Sequence, residues 1–241
     1  MARGKTKPKL TRATDLITRA TLAQRDDTAK AMKSPTLRRT VQMAARALKR
    51  AEKTIARILK LAPPPSPIAC KANCPWCCHI RLTASPPEVL AVLDHIHRTF
   101  AADDLAALKR KVANIDPFTR GRGGEERARQ RLPCPLLKDG SCSVHAVRPL
   151  SCRAVVSVDV GACMRAYESR MRDPVPQHEL QYQAANAIGY GMYAGLVDAG
   201  FKVENVEMNA ALAIGLNDPD AGKRWLAGND VFKPATELLT K

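Results

Sequence analysis

The sequence predicts a mainly α-helical fold, a helical bundle that carries a loop-rich, cysteine-rich segment. Apolar residues recur at three- and four-residue steps in several long stretches, which is the spacing of one helix face. β-branched residues form only one short run, so we expect few strands. Aromatic residues make up 4% of the 241-residue chain, so we expect a core of Ala, Leu, Val and Met.

The N-terminal quarter, residues 1–61, is predicted to be a basic arm that ends in a long amphipathic helix. It holds 17 Lys and Arg against 4 Asp and Glu and so carries +13 of the net charge of +16. Residues 1–34 combine many charges with little apolar pattern, which predicts a mobile segment. Ser34 and Pro35 are typical of a helix start, and a helical apolar repeat follows from Thr36 to Leu61.

After a stiff, Pro-rich linker at residues 62–67, the rest of the chain is predicted to form one domain. Its cysteine-rich, metal-binding core spans residues 68–165, and residues 166–241 continue the same domain as helices. The expected helices lie at 86–100, 103–112, 162–171, 177–199, 205–216 and 221–226, with a flexible loop and a short charged helix in 116–131.

Local signals support individual elements of this domain. Ser85 and Glu88 form the pattern of a capping box, which predicts a helix start. Asp139-Gly140 is a turn signal and predicts a tight hairpin with a cysteine towards each end. The Val-rich run at 155–160 predicts one short strand or extended segment.

Two groups of cysteines form the candidate site. The spacings are C-x3-C-x2-CC in the first group and C-x7-C-x9-C in the second. The chain begins without an apolar leader and has no run long enough to cross a membrane, so we expect a cytoplasmic protein with no membrane contact. In that reducing compartment, thiols are more often ligands than disulfides, although a disulfide-locked turn is the alternative. The candidate ligands are Cys70, Cys74, Cys77 and Cys78 in the first group and Cys134, Cys142 and Cys152 in the second.

Thiolates are soft ligands suited to zinc, copper(I) and iron–sulfur clusters, so the expected cofactor is zinc or iron, including an iron–sulfur cluster. Side chains of adjacent residues in extended backbone point apart. Cys77 and Cys78 are therefore expected to serve two metals, or one metal and one supporting role. We expect the two groups to meet in space around bound metal.

The motifs around the second group, read with the double cysteine of the first, resemble the YkgJ-type cysteine-cluster family over about residues 68–165. They are Cys134-Pro-Leu-Leu, Gly140-Ser-Cys142, Arg148-Pro149 and Cys152-Arg153. The resemblance implies a zinc- or iron-chelating domain whose ligands are the seven cysteines named above. Cys163 lies outside the pattern and is interpreted as a small buried hydrophobic residue. His145 stands where the family more often has an aromatic residue, and we interpret it as a replacement and not a ligand.

Arg148 and Arg153 flank the second group and are candidate supporting residues. One reading is that their guanidinium groups offset the negative charge of a thiolate cluster and donate hydrogen bonds to sulfur. The other reading is a pair of surface salt bridges.

Three functions stay open. The first is a metal-binding protein whose centre is structural or serves metal handling. The second is an iron–sulfur enzyme that modifies a protein in a methylation-like, SAM-dependent reaction, since some relatives of the resembled family are described as flagellin lysine methylases. Cys70, Cys74 and Cys77 also satisfy the radical-SAM spacing C-x3-C-x2-C, with Gly123-Gly124-Glu125 downstream, but the strand–helix units of that fold do not follow.

The third function is a module that binds a protein partner or nucleic acid through basic residues 1–61, with the metal as scaffold. No aromatic residues interleave the basic ones to stack on bases, which weakens the nucleic-acid case. Hydrolase and nucleotide-binding motifs are not found in the sequence.

Overall fold

The computed structural model describes residues 6–236, and this part of the chain is mainly α-helical, as predicted. Its four strands have two residues each and form two antiparallel pairs, β1 (Thr83–Ala84) with β4 (Val206–Glu207) and β2 (Leu137–Lys138) with β3 (Ser141–Cys142). The helices are α1 (Thr6–Met32), α2 (Leu37–Leu61), α3 (Pro86–Thr99), α4 (Ala102–Thr119), α5 (Gly124–Gln130), α6 (Leu150–Ala154), α7 (Val160–Glu168), α8 (Glu179–Asp198), α9 (Met208–Asn217) and α10 (Ala221–Leu226).

Helix α1 is the main departure from the prediction. The expectation that residues 1–34 are mobile is wrong for the described part of that stretch, because α1 packs along α8 and α2. Residues 1–5 lie outside the described residues. The inner face of α1 consists largely of small or polar side chains, which do not stand out as an apolar repeat. The buried members of this face include Ala13, Ile17, Ala20, Gln24, Thr28 and Met32.

Glycines on α8 allow α1 to approach very closely. A Cβ atom added to Gly191 would lie 2.4 Å from the carbonyl oxygen of Thr21, and one added to Gly195 would lie 2.4 Å from that of Arg25. Both distances are far below van der Waals contact, so only glycine fits at these two positions. The backbones of α1 and α8 therefore approach each other closely at these two glycines.

Helix α2 is amphipathic, as predicted, and its buried face packs on α1, α3 and α8. The cap is Thr36 and not Ser34: its side chain accepts a hydrogen bond from the backbone N–H of Arg39 at 3.2 Å. The buried apolar residues of α2 are Met43, Ala44, Ala47, Leu48, Ala51, Ile55 and Ile58.

The predicted capping box at the start of α3 is present and has a second role. One oxygen of the buried Glu88 accepts hydrogen bonds from the backbone N–H and the hydroxyl of Ser85, at 2.9 and 2.7 Å. The other oxygen accepts one from the backbone N–H of Leu150 at 2.8 Å. This carboxylate therefore fixes the start of α6, the helix that carries Cys152, against the start of α3.

One loop prediction differs from the structure. Helix α4 continues to Thr119, past the predicted end at 112, and α5 begins at Gly124, so residues 120–123 are all that is left of the expected flexible loop. The Val-rich run is an extended segment, as predicted: Val155 and Asp159 have extended backbone, and Ser157 forms a bridge with Gln177 before α7 begins. The hairpin is as predicted, with Asp139 and Gly140 at φ of 51° and 77° in its turn.

Among the described helices, none combines the length and the apolar character needed to cross a membrane.

Candidate functional site

The two cysteine groups, more than fifty residues apart in the sequence, lie together in the structure. All eight cysteines fall within the described residues and are free thiols. The backbone N–H of Cys134 donates a hydrogen bond to the carbonyl oxygen of Cys78 at 2.6 Å, which joins the second group to the first. The adjacent Cys77 and Cys78 lie on a short 3-10 turn, Trp76–His79, and not on extended backbone.

The thiols of Cys134 and Cys142 affect both Cys78 and Cys152. The pKa of Cys78 is raised, chiefly by its hydrogen bond to Cys77. Burial and the nearby thiols of Cys134 and Cys142 raise it further. Burial, with Cys134 and Cys142 again close by, raises the pKa of Cys152 well above its usual value. Burial also raises the pKa of Cys134 to about 12. Thiols with such pKa values are neutral at pH 7 unless a metal displaces their protons.

A second set of thiols, Cys70, Cys74 and Cys163, also interacts with Cys77. The backbone N–H of Ser157 lies 3.3 Å from the sulfur of Cys70. Burial raises the pKa of Cys163, and the side chain of the same serine partly offsets this effect. Charges on Cys70, Cys74 and Cys77 all act on Cys163. The interpretation of Cys163 as a buried hydrophobic residue is therefore wrong: it is partly exposed and lies among thiols.

Cys77 is the thiol that the two sets share. Its hydrogen bond with Cys78 lowers the pKa of Cys77 to about 6. Its charge acts on Cys70 and Cys163 on one side and on Cys142 and Cys152 on the other. The eight thiols are thus one continuous site.

Arg148 lies inside this site. Its positive charge acts on thiols of both sets: Cys70, Cys77, Cys142 and Cys152. Its Nε atom is buried and has no hydrogen-bond partner within residues 6–236. A buried donor without a partner is costly, and thiolate sulfurs beside it would offset that cost.

Arg153 does not act in the same way. Its side chain is buried, and its three nitrogens donate to the carbonyl oxygens of Arg148 and Ala146, at 3.0 and 2.9 Å, and to the carboxylate of Glu52. It therefore ties the turn before α6 to helix α2, and its donors are taken up by oxygen and not by sulfur. His145, exposed beside Arg148, Arg153 and Glu52, has a lowered pKa, chiefly through desolvation.

Sequence reasoning missed Arg127 and Glu207. Arg127 on α5 is 3% exposed and lies near Cys134 and Glu207; burial lowers its pKa. Burial raises the pKa of Glu207, whose carboxylate accepts hydrogen bonds from the first N–H groups of α9, at Asn209 and Ala210. Nothing in the sequence distinguishes Arg127 from the other arginines of residues 116–131, so no sequence signal marked it.

Aromatic side chains cover the cysteine turn. The ring of Tyr167 on α7 lies 5.4 Å from that of Trp76 and 4.7 Å from that of His79, centroid to centroid. The guanidinium of Arg131 lies 5.1 Å from the Tyr167 ring on a cation–π contact. This packing places α7, and with it Cys163, against the turn that carries Cys77 and Cys78.

The donor chemistry fits a thiophilic metal. Free thiols of both groups lie near the Arg148 guanidinium, which has an unused donor, and soft thiolates are the ligands that zinc, copper(I) and iron–sulfur clusters prefer. Within residues 6–236, no group of three or more His, Cys, Asp or Glu side chains is already arranged to hold a metal ion. Metal binding therefore requires the thiols to turn towards a common centre.

Comparison with known proteins finds no relatives: no protein-family model matches the chain, and no curated protein or solved structure matches it. The resemblance to the YkgJ-type family therefore stays a prediction from the sequence motifs.

Proposed function

We propose that this protein binds zinc or iron, an iron–sulfur cluster included, through its cysteine cluster, and that the centre is structural or serves metal handling. The observation that carries the proposal is the gathering of free thiols from both cysteine groups around Arg148. The resemblance to a chelating family points the same way. The proposed ligands are Cys70, Cys74, Cys77, Cys78, Cys134, Cys142 and Cys152.

A structural role for the metal follows from the poor burial of the first cysteine loop. None of residues 62–83 is fully buried, and this stretch contains no α-helix. Ordering its backbone costs about 1–2 kcal/mol per residue, and side-chain burial offsets little of that cost here. Metal–thiolate bonds supply such free energy in other small metal-dependent folds.

The test is elemental analysis of protein purified without oxygen, together with its visible absorption spectrum. We expect zinc or iron in a fixed ratio to the chain, and a strong loss of metal in the double variant Cys74→Ser, Cys142→Ser. Met164→Leu, an exposed change on α7 close to Cys163, is the control and keeps the metal. Protein that contains no metal, and takes none up after reduction, contradicts the proposal.

The enzymatic alternative, a SAM-dependent iron–sulfur protein that modifies another protein, has less support. A radical-SAM barrel needs repeated strand–helix units, whereas the strands within residues 6–236 have two residues each. Gly123-Gly124-Glu125 begins a helix, where Glu125 forms an exposed ion pair with Arg129. This alternative requires a brown, oxygen-sensitive protein; a colourless protein that releases zinc would exclude it and agree with the first proposal.

A basic groove on α2 supports a second candidate function, the binding of nucleic acid or another polyanion. The groove has a volume of about 350 Å³, and its lining includes Arg46, Arg50, Lys49, Lys53 and Arg57. Asp27 pairs with Arg46 and Arg50. Lys49, Lys53 and Arg57 have no ion-pair partner within residues 6–236. These unpaired positive charges favour contact with the phosphate backbone of a nucleic acid over burial in a protein interior.

The test of the groove is binding of a single-stranded and a double-stranded oligonucleotide at several salt concentrations. In the triple variant Lys49→Glu, Lys53→Glu, Arg57→Glu, we expect affinity to fall and the salt dependence to flatten. Lys109→Glu, Arg110→Glu and Lys233→Glu form the control, with the same change in charge elsewhere. Equal affinity in the two triple variants would rule the groove out.

A further inference from the structure

We propose that the polyanion bound at the basic face of α2 is a nucleic-acid duplex, and that this face contacts the phosphate backbone along about one turn of it. This inference rests on the second candidate function, polyanion binding at the α2 groove, and names the class of ligand. The contact surface is a row of cations that extends past both ends of the groove. We call it the basic row, and its members are Arg39, Arg46, Lys49, Arg50, Lys53, Arg57 and Lys60.

The basic row lies on one face of a single long helix. At 3.6 residues per turn its side chains fall within an arc of about 100°, which points away from the buried face of α2. From Arg39 to Lys60, at a rise of 1.5 Å per residue, the row is about 32 Å long. One turn of B-DNA is about 34 Å long. The row therefore matches the length of one turn of a duplex.

The positive charge of the row is only partly neutralised. Glu52 is the one acidic residue of α2, and its carboxylate pairs with the buried Arg153. Within residues 6–236, the one carboxylate that pairs with the row is Asp27 of α1, which contacts Arg46 and Arg50. The other five members are exposed and have no ion-pair partner among the described residues. This uncompensated charge complements a row of phosphates.

The composition of this face favours a duplex over a single strand. Proteins that bind single strands without sequence preference stack the bases on aromatic side chains, and residues 1–61 contain no Phe, Tyr or Trp. A single strand laid along a straight helix would lose conformational freedom, and no stacking would offset that loss. A duplex is stiff, with a persistence length of about 50 nm, and its phosphates already form a regular array. Helix α2 can contact that array without ordering it.

Asp27 holds the place of a phosphate on the row. Its two oxygens each lie 2.9 Å from a nitrogen of Arg46, and one of them lies 3.6 Å from Arg50. A guanidinium binds a carboxylate and a phosphate in this same two-point geometry. A duplex that brings phosphates to Arg46 and Arg50 would compete with Asp27. Removal of this carboxylate charge should therefore strengthen binding.

The experiment measures binding of full-length protein to labelled oligonucleotides of about 20 base pairs, two turns, by fluorescence anisotropy at several salt concentrations. DNA and RNA duplexes are both used because they share the phosphate backbone, and each is compared with its own single strand. We expect at least one duplex to bind about tenfold or more tightly than its single strand, with little dependence on base sequence. For five free cations, log K should fall with log salt with a slope of about −4 to −5.

Two variants should change the affinity for the duplex in opposite directions. Arg39→Gln with Lys60→Gln, at the ends of the row and outside the groove, should weaken binding about tenfold and reduce the salt slope by about 2. Asp27→Asn should strengthen binding about threefold or more, a gain that partial unfolding cannot produce. Lys109→Gln with Arg110→Gln, on α4, is the control for the end variant and should have little effect.

The possible failures separate this inference from the candidate function on which it rests. Asp103→Asn, the same change of charge on α4, is the control for Asp27→Asn. Single strands that bind as tightly as both duplexes, or an end variant that binds like its control, would overturn this inference alone. An affinity that Asp27→Asn leaves unchanged or lowers would overturn the competition with Asp27. Wild-type protein that binds none of the oligonucleotides would overturn the nucleic-acid function of the groove itself.

Discussion

Two regions of the molecule differ in how much of each is buried. One is the bundle formed by α1, α2 and α8, and the other is the cysteine segment, residues 62–83 and 131–149. On α8, Ala184, Ala185, Ile188, Met192 and Leu196 are fully buried. Residues 62–83 have no buried member, and residues 131–149 have four: Pro135, Leu136, Val144 and Pro149. Burial of apolar area therefore explains the order of the bundle but not that of the cysteine segment. The same chain has to be stabilised in two different ways.

The largest effect on the bundle is expected from deletion of residues 1–33. The sequence pattern predicts that residues 1–34 are mobile, but α1 covers the inner face of α8, so its removal would expose that face to water. We expect the truncated chain to lose its cooperative thermal transition or to aggregate. Circular dichroism melting of the two proteins measures this. An unchanged melting temperature would show that α1 contributes nothing to the bundle.

Removal of the metal should act on the other region. Under the proposed function, chelation, or Cys74→Ser with Cys142→Ser, should make residues 62–83 and 131–149 sensitive to protease while most of the helical circular dichroism signal stays. Limited proteolysis with mass spectrometry locates the cuts. Loops that stay protected after chelation would mean that the cysteines act without a metal.

A glycine substitution tests the bundle alone. Gly195→Ala places a Cβ 2.4 Å from the Arg25 carbonyl oxygen, so α1 must move, and we expect a loss of about 1–3 kcal/mol in the free energy of unfolding. Gly189→Ala is the control: its Cβ would meet only the Leu150 side chain at 3.7 Å, and helix propensity gives a gain of up to about 1 kcal/mol. Urea denaturation measures both. Equal effects would disprove the close α1–α8 contact.

A smaller effect is expected at the junction between the two regions. Glu88→Gln leaves one of the N–H donors of Ser85 or Leu150 facing an amide NH₂ group, at a cost of about 1–2 kcal/mol. The matched control, Glu125→Gln, removes an exposed ion pair worth about 0–1 kcal/mol. Because Glu88 joins α3 to α6, the variant should also speed hydrogen exchange at Leu150 and Ser151. Unchanged exchange there would contradict this bridging role.

Sequence reasoning found the elements whose signals are local. The apolar repeat of α2, the Ser85–Glu88 cap and the Asp139-Gly140 turn each depend on residues close in the chain, and all three are present. Helix α1 was missed because alanine, threonine and glutamine interrupt the few large apolar residues of its buried face, and only the partner α8 shows that this face is covered.

The candidate site divides in the same way. The spacing of the seven motif cysteines and the position of Arg148 are local signals, and the structure brings those residues together. Cys163 and Arg127 join them only through the packing of α7 and α5, which no spacing records. Likewise, Arg153 finds its carboxylate partner in Glu52, 101 residues earlier in the chain.

The contact between α1 and α8 also sets an order of events during synthesis. Arg25 pairs with Asp198 at 2.6 Å, and 173 residues separate them. At about 5–20 residues per second, a ribosome needs about 9–35 s to make that stretch, during which α1 has no α8 to pack on. The last cysteine, Cys163, is added before α8, Glu179–Asp198, is made. All eight cysteines are therefore present in the nascent chain before the bundle can close.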